Sequence, residues 1–243
     1  MQIAPGLYAM TQEQGGKVHA FLIDDGRELT LIDTLFDNDG NIVMDEIRTA
    51  GRKITDLKHI ILTHAHRSHI GGLAALKKAS NAIVYSHQWE QEIVAGRRKA
   101  TPVGLWPKPP LQVYKLQLGL ALGLAPHVPC EVDKELKDAD HIGPLEVVST
   151  PGHTPGSLSF YWRDRKAVLC GDMIVTWPRI EAGWAGLTLD MKQNKQSLGK
   201  LSDALNAEII CSGHGAPITQ GGAAIMRALC DGKPVDKTRT AHA

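Results

Sequence analysis

Thr63-His64-Ala65-His66-Arg67-Ser68-His69-Ile70-Gly71-Gly72 follows an apolar run, Ile60-Ile61-Leu62, and closes on a glycine pair. Neutral imidazole is the commonest protein ligand for zinc and related metals. On an extended segment His64 and His66 project to the same side, because side chains alternate with a period of two. His69 lies past a turn and faces a different point. That spacing suits two histidines on one metal and the third on a neighbouring metal. The stretch sits where a buried strand ends and a helix begins, which is where such motifs have structural meaning.

Working outward, the chain alternates between strands and helices. Gly6–Met10, Val18–Ile23 and Glu28–Thr34 read as strands separated by turns at Gln14-Gly15-Gly16 and Asp24-Asp25-Gly26. Ile42, Val43 and Ile47 give Asn41–Ala50 the period of an amphipathic helix, with Gly51 as its stop. Lys58–Leu62 is the strand entering the motif, and Leu73–Ala79 is a helix behind it. Ala82–Tyr85 is a strand and Trp89–Arg98 a helix. Later strands are Leu145–Ser149, Ser157–Trp162, Ala167–Leu169 and Glu208–Cys211, with helices at Met191–Leu205 and Ala223–Leu229. Such alternation indicates α/β packing. Prolines break the rhythm over 99–129, which reads as an insertion or lid over the site. Residues 235–243 read as a frayed tail.

Three further loops share a local pattern. They are Thr150-Pro-Gly-His153-Thr-Pro-Gly, Cys170-Gly-Asp172 and Ser212-Gly-His214-Gly. Each follows a predicted strand, and glycine precedes each His or Asp, allowing close backbone approach or positive φ. Loops at strand ends are where scaffolds place reactive groups. Thr154 and Ser157 read as turn and cap residues.

The order HxHxxH, distant His, Asp, last His resembles the metallo-β-lactamase-fold hydrolase superfamily over nearly the whole chain, including Leu31-Ile32-Asp33-Thr34. The resemblance implies an α/β (α+β) fold, a four-layer αββα sandwich of two mixed sheets flanked by helices, formed as a single domain over 1–243. It implies that His64, His66 and His153 hold a first metal, that His69 and His214 hold a second, and that Asp172 bridges them. Asp33 matches an aspartate that supports the metal loop. The implied activity is a zinc-dependent hydrolase, with iron or manganese also suited to these ligands. In it a metal-bound hydroxide attacks the carbonyl of an ester, lactone, thioester or β-lactam, and Asp172 orients it or takes its proton. The alternatives are a metal-binding protein with a degenerate second site and little hydrolytic activity, serving as a sensor or ligand binder, or an iron-dependent member of the same fold.

One position departs from the family pattern: Ser68 stands where the family has Asp. A hydroxyl is a neutral, poor zinc ligand, so the second metal is expected to bind more weakly, and a group that would steer the nucleophile is missing. The first site is untouched, since three histidines and a water suffice for a catalytic zinc. Arg67 reads as a solvated side chain or as a charge offered to an anionic substrate. Trp106, Trp177 and Trp184 are candidate walls of an apolar pocket. No Gly-Arg-Asp follows Asp172, which argues against a glyoxalase-II-like or persulfide-dioxygenase-like site. Lactonase, esterase and weak lactamase activities stay open.

The totals fit this reading. The 243 residues are 43% hydrophobic and 22% charged, with a net charge of +1. This is ordinary globular composition with no basic cluster for nucleic acid. The partner expected is a small-molecule substrate, with a homodimer left open. Leu116–Leu124 is too short to span a bilayer. The N-terminus shows no signal core, and four scattered cysteines without a CxxC read as reduced thiols, so a cytoplasmic location is expected.

Overall fold

The computed structural model describes residues 1–101 and 126–235. Most of the lid expected over 99–129 (residues 102–125), with Trp106, the apolar stretch Leu116–Leu124 and nearly all of the tail, lies outside the described residues. The chain forms two compact units. Among the described residues, one comprises 1–101 with 126–136 and the other 137–235.

The first unit carries a seven-stranded sheet in sequence order. Its strands are β1 (Gln2–Ala4), β2 (Leu7–Gln12), β3 (Val18–Asp24), β4 (Leu29–Ile32), β5 (Leu57–Ile61), β6 (Ile83–Ser86) and β7 (Lys134–Glu135). The pairs from β1 to β4 are antiparallel and those from β4 to β7 parallel. The change is set by the connections: tight turns join the early strands, whereas helical crossovers join the later ones. The helices are α1 (Gln14–Lys17), α2 (Asn41–Thr49), α3 (Arg67–Ile70), α4 (Leu73–Ser80) and α5 (Gln88–Val94). Leu22, Leu31, Ile60 and Val84 of the sheet pack with Val43, Ile47, Leu73 and Leu76 of α2 and α4. Burying each such side chain contributes about 1.5–3 kcal/mol.

The second unit carries a five-stranded sheet ordered β12-β11-β10-β9-β8. These strands are β8 (His141–Ile142), β9 (Leu145–Ser149), β10 (Leu158–Trp162), β11 (Ala167–Gly171) and β12 (Ile209–Ser212). Only β11 and β12 are parallel, and the helix α6 (Met191–Ala204) crosses between them. Leu198 and Leu201 of α6 pack with Ile225, Met226 and Leu229 of α7 (Gly222–Cys230), against Val168, Cys170 and Ile210 of the sheet. Among the described residues, no helix is long and apolar enough to cross a membrane.

The α/β class and the two mixed sheets are as the sequence predicts. Three local readings are corrected. Ile42 is exposed at 36% rather than facing the core, so Val43 and Ile47 alone form the buried stripe of α2. The helix expected to reach Arg98 stops at Val94, because Gly96 turns the chain at φ 72°. Gln14-Gly15-Gly16 forms a helical turn with Lys17.

Candidate metal centre

In the first unit, β4 and β5 run parallel, so their carboxyl ends lie side by side and deliver Asp33 and the histidine segment to the same edge. Asp33, at φ 59°, turns its carboxylate into that segment. Its Oδ1 accepts from the Thr63 backbone N–H at 2.8 Å. Its Oδ2 accepts from Thr63 Oγ1 at 2.7 Å and from His69 Nδ1 at 2.8 Å. Since the Thr63 hydroxyl donates to Asp33, its oxygen is left to accept from His64 Nδ1, 3.0 Å away. The network therefore assigns the Nδ1–H tautomer to both His64 and His69, and leaves each Nε2 with a lone pair for a metal. His64 Nε2 and His66 Nδ1 face one another at 3.1 Å. His64 and His69 are buried at 1% and 0% exposure.

The glycine pair allows the Asp33 loop to reach this segment. Thr34 donates its N–H and hydroxyl to the His69 carbonyl at 2.7 and 2.9 Å. Gly71 N–H bonds the Leu35 carbonyl at 2.9 Å. A Cβ on Gly71 would lie 2.0 Å from the Phe36 carbonyl oxygen, so no other residue fits there without moving backbone. Gln12 supports the same loop, its Oε1 accepting from the Phe36 N–H at 2.9 Å.

In the second unit, β9 and β11 point the same way because both are antiparallel to β10, and β12 is parallel to β11. Their carboxyl ends share one edge, and the next residues deliver His153, Asp172 and His214 there. All three are buried, at 1%, 4% and 3% exposure. Asp172 Oδ2 lies 3.6 Å from His153 Nε2 and 3.4 Å from His214 Nε2. Those separations exceed a charge-assisted hydrogen bond of about 2.7–2.9 Å. They match the roughly 3.4 Å between two ligands held about 2.1 Å from one tetrahedral metal. The donor chemistry and spacing of this set thus fit a metal ion. His153 Nδ1 lies 3.3 Å from Thr188 Oγ1, which turns its Nε2 toward Asp172.

The other candidate residues fall as follows. Ser68 lies in the α3 turn at 8% exposure. Arg67 is pinned rather than free in solvent: its guanidinium lies 4.3 Å from the Phe36 ring centroid, donates to the Phe36 carbonyl, and bonds Asn38 Oδ1 at 2.8 Å. Burial lowers the Arg67 pKa, against the pull of Asp37. Trp184 is buried with its ring 4.6 Å from that of His214, and its Nε1–H bonds the Trp177 carbonyl at 2.8 Å. Trp177 is half-buried, edge-on to Trp184 at 6.1 Å. Thr154 and Ser157 close a turn, with Ser157 Oγ accepting from the Thr154 N–H at 2.9 Å.

Three residues that touch the ligand loops carry no signal in the sequence. Glu90 accepts the Ala65 N–H, Thr188 bonds His153, and Asn194 donates to the Met173 carbonyl beside Asp172. Each is a lone polar residue in a helix or loop remote in sequence, and only the spacing of Glu90 from the apolar Ile93 and Val94 hints that it faces inward.

The family model of the metallo-β-lactamase superfamily matches residues 14–214. The probable metallo-hydrolase YflN of Bacillus subtilis (strain 168) is 24% identical over 239 residues, covering 90% of this chain and 87% of YflN. A hydroxyacylglutathione hydrolase of Bartonella tribocorum is 27% identical over 154 residues, covering 63% of this chain and 47% of that protein. Among solved structures, a metallo-β-lactamase family protein of Thermus thermophilus superimposes with a TM-score of 0.67 at 24% identity, covering 95% of this chain and 79% of that one. With a matching family model over most of its length and a buried His/Asp set at the strand ends of each unit, the chain belongs to the metallo-β-lactamase superfamily of metallo-hydrolases.

Proposed function

We propose that the chain holds a dinuclear metal centre, and that this centre hydrolyses carbonyl substrates of the ester, lactone, thioester or lactam type. His64, His66 and His153 would hold one metal, His69 and His214 the other, and Asp172 both. The observation that carries this reading is Asp172 Oδ2 set between two imidazole nitrogens at metal-ligand spacing. Zinc suits the five imidazoles and the carboxylate, and iron and manganese are the alternatives.

A bound metal supplies Lewis acidity toward the carbonyl oxygen and lowers the pKa of a water toward 7. The chain's own residues do the rest. Asp33 and Thr63 hold His64 and His69 in the tautomers that present Nε2. Asp172 orients the attacking water and takes its proton for transfer to the leaving group. Trp184, fixed on the Trp177 carbonyl, holds the His214 ring, and the exposed part of Trp177 offers an apolar surface to the acyl side of a substrate. Arg67, already committed to Phe36 and Asn38, shapes the loop and is not spent on substrate charge. Thioesters belong to the class on the strength of the likeness to a hydroxyacylglutathione hydrolase. The substrate is a small molecule, and the protein acts in the cytoplasm.

The test is a panel of aryl esters, lactones, thioesters and β-lactams. It is run on the purified protein, on protein treated with a chelator and restored with zinc, iron or manganese, and on His153→Ala. Chelator-sensitive turnover that one metal restores and His153→Ala lacks supports the reading. Metal uptake without turnover on any substrate favours a sensor, and turnover unchanged in His153→Ala contradicts the ligand set.

A further inference from the structure

Glu90 is a carboxylate at 1% exposure on the inner face of α5. A carboxylate so placed is costly unless its oxygens are met by donors. Its Oε2 accepts the backbone N–H of Ala65 at 2.9 Å. Ala65 is the residue between His64 and His66. Leu62 N–H still bonds the Tyr85 carbonyl of β6 at 3.0 Å, but from Thr63 to Ala65 the chain has left β5 and is not yet in α3, so no ladder or helix fixes that backbone. Side-chain carboxylates take that role instead. Asp33 meets the Thr63 N–H, and Glu90 meets the Ala65 N–H two residues on.

The two carboxylates act on different parts of the segment. Asp33 holds the Thr63 end directly and reaches His64 through the Thr63 hydroxyl. Nothing comparable from Asp33 holds the step from His64 to His66, where Glu90 is attached. His69 lies within α3, its N–H bonded to the His66 carbonyl at 2.9 Å, and it has anchors of its own, Asp33 at its ring and Thr34 at its carbonyl.

We propose that Glu90 is a positioning residue for the His64–His66 pair: through the Ala65 N–H it sets the spacing at which those two rings grip one metal, and it leaves the metal of His69 and His214 alone. The proposal rests on the dinuclear reading above. It concerns placement by an accepting oxygen, so an amide oxygen at the same position serves as well.

Cobalt(II) titration of the full chain, followed by visible absorption against a competing chelator, tests it. His66→Ala and His69→Ala assign the two binding constants to the two sites. Glu90→Ala is expected to weaken the His64–His66 site by about 10- to 100-fold, as loss of an outer-shell partner does, with the second constant unchanged. Glu90→Gln keeps an acceptor and stays within about threefold of the wild type. Glu90→Asp, one methylene shorter, withdraws the oxygen and behaves as Glu90→Ala, which keeps the test available if the alanine variant does not fold. Equal loss at both sites, loss in Glu90→Gln as large as in Glu90→Asp, or wild-type constants in Glu90→Ala overturn the proposal while leaving the dinuclear reading intact. A wild-type chain that takes up no cobalt overturns both.

Discussion

His69 Nδ1 lies 2.8 Å from Asp33 Oδ2, and both side chains are shut away from water at 0% and 3% exposure. The same carboxylate holds the Thr63 N–H and hydroxyl. Asp33→Ala strands three buried donors, at a cost of about 1–3 kcal/mol for each that finds no other partner. It also frees the His69 ring to take the other tautomer. Urea denaturation should show the stability loss, and metal titration should show about 10- to 100-fold weaker binding at the His69 site. A variant with wild-type metal affinity would separate Asp33 from the metal centre.

In the proposed dinuclear centre Ser68 would supply no anionic ligand to the second metal. Ser68→Asp is expected to tighten that metal and bring the stoichiometry of protein purified without added metal to about two, since a carboxylate adds a full negative charge against two dications. Elemental analysis checks this. Unchanged metal content in Ser68→Asp would show that position 68 does not face the second metal.

Gly71 brings the Asp33 loop into contact with the histidine segment, and a Cβ there meets the Phe36 carbonyl oxygen at 2.0 Å. Gly71→Ala should destabilise the fold by about 3 kcal/mol or more, through displaced backbone rather than a lost side chain. Gly199→Ala is the control, in the middle of α6 with nothing within 4 Å of the added carbon. It should be neutral or stabilising by up to about 1 kcal/mol. Chemical denaturation of both variants tests the contrast.

All four cysteines are free, with Cys170 and Cys211 buried. Burial pushes the Cys170 thiol up to about 12 and the Cys211 thiol well above its ordinary value. A raised pKa lowers the thiolate fraction at any working pH, and the thiolate is the reactive form. In the folded protein at pH 8 a disulfide reagent should therefore reach only Cys130 and Cys230, slowly, because burial raises those thiols too. All four should react in denaturant. Fast reaction of Cys170 in the native state would contradict the packing of β11.

The chain's local physics makes much of this legible. Leu145–Ser149 is a strand at the bounds read from the sequence, and the helices from Asn41 and Met191 begin at the residues read for them. The loops bearing His153, Asp172 and His214 announce themselves by glycine beside a ligand type after an apolar run. What is not legible is non-local. Glu90, Thr188 and Asn194 act through side-chain bonds to loops far away in sequence, and no period or spacing encodes such bonds. The strands β1, β7 and β8 are two or three residues long, too short to show a period, and form only because a longer neighbour offers its edge. Arg67 reads like any surface cation until Phe36 and Asn38 are placed beside it.

An anomalous difference map from metal-loaded crystals, recorded at the zinc and iron edges, tests the central claim most directly. The account predicts two peaks: one about 2.0–2.2 Å from His64, His66 and His153, the other at that distance from His69 and His214, with Asp172 touching both. A map with no density at these side chains, or with metal bound elsewhere on the chain, would contradict it.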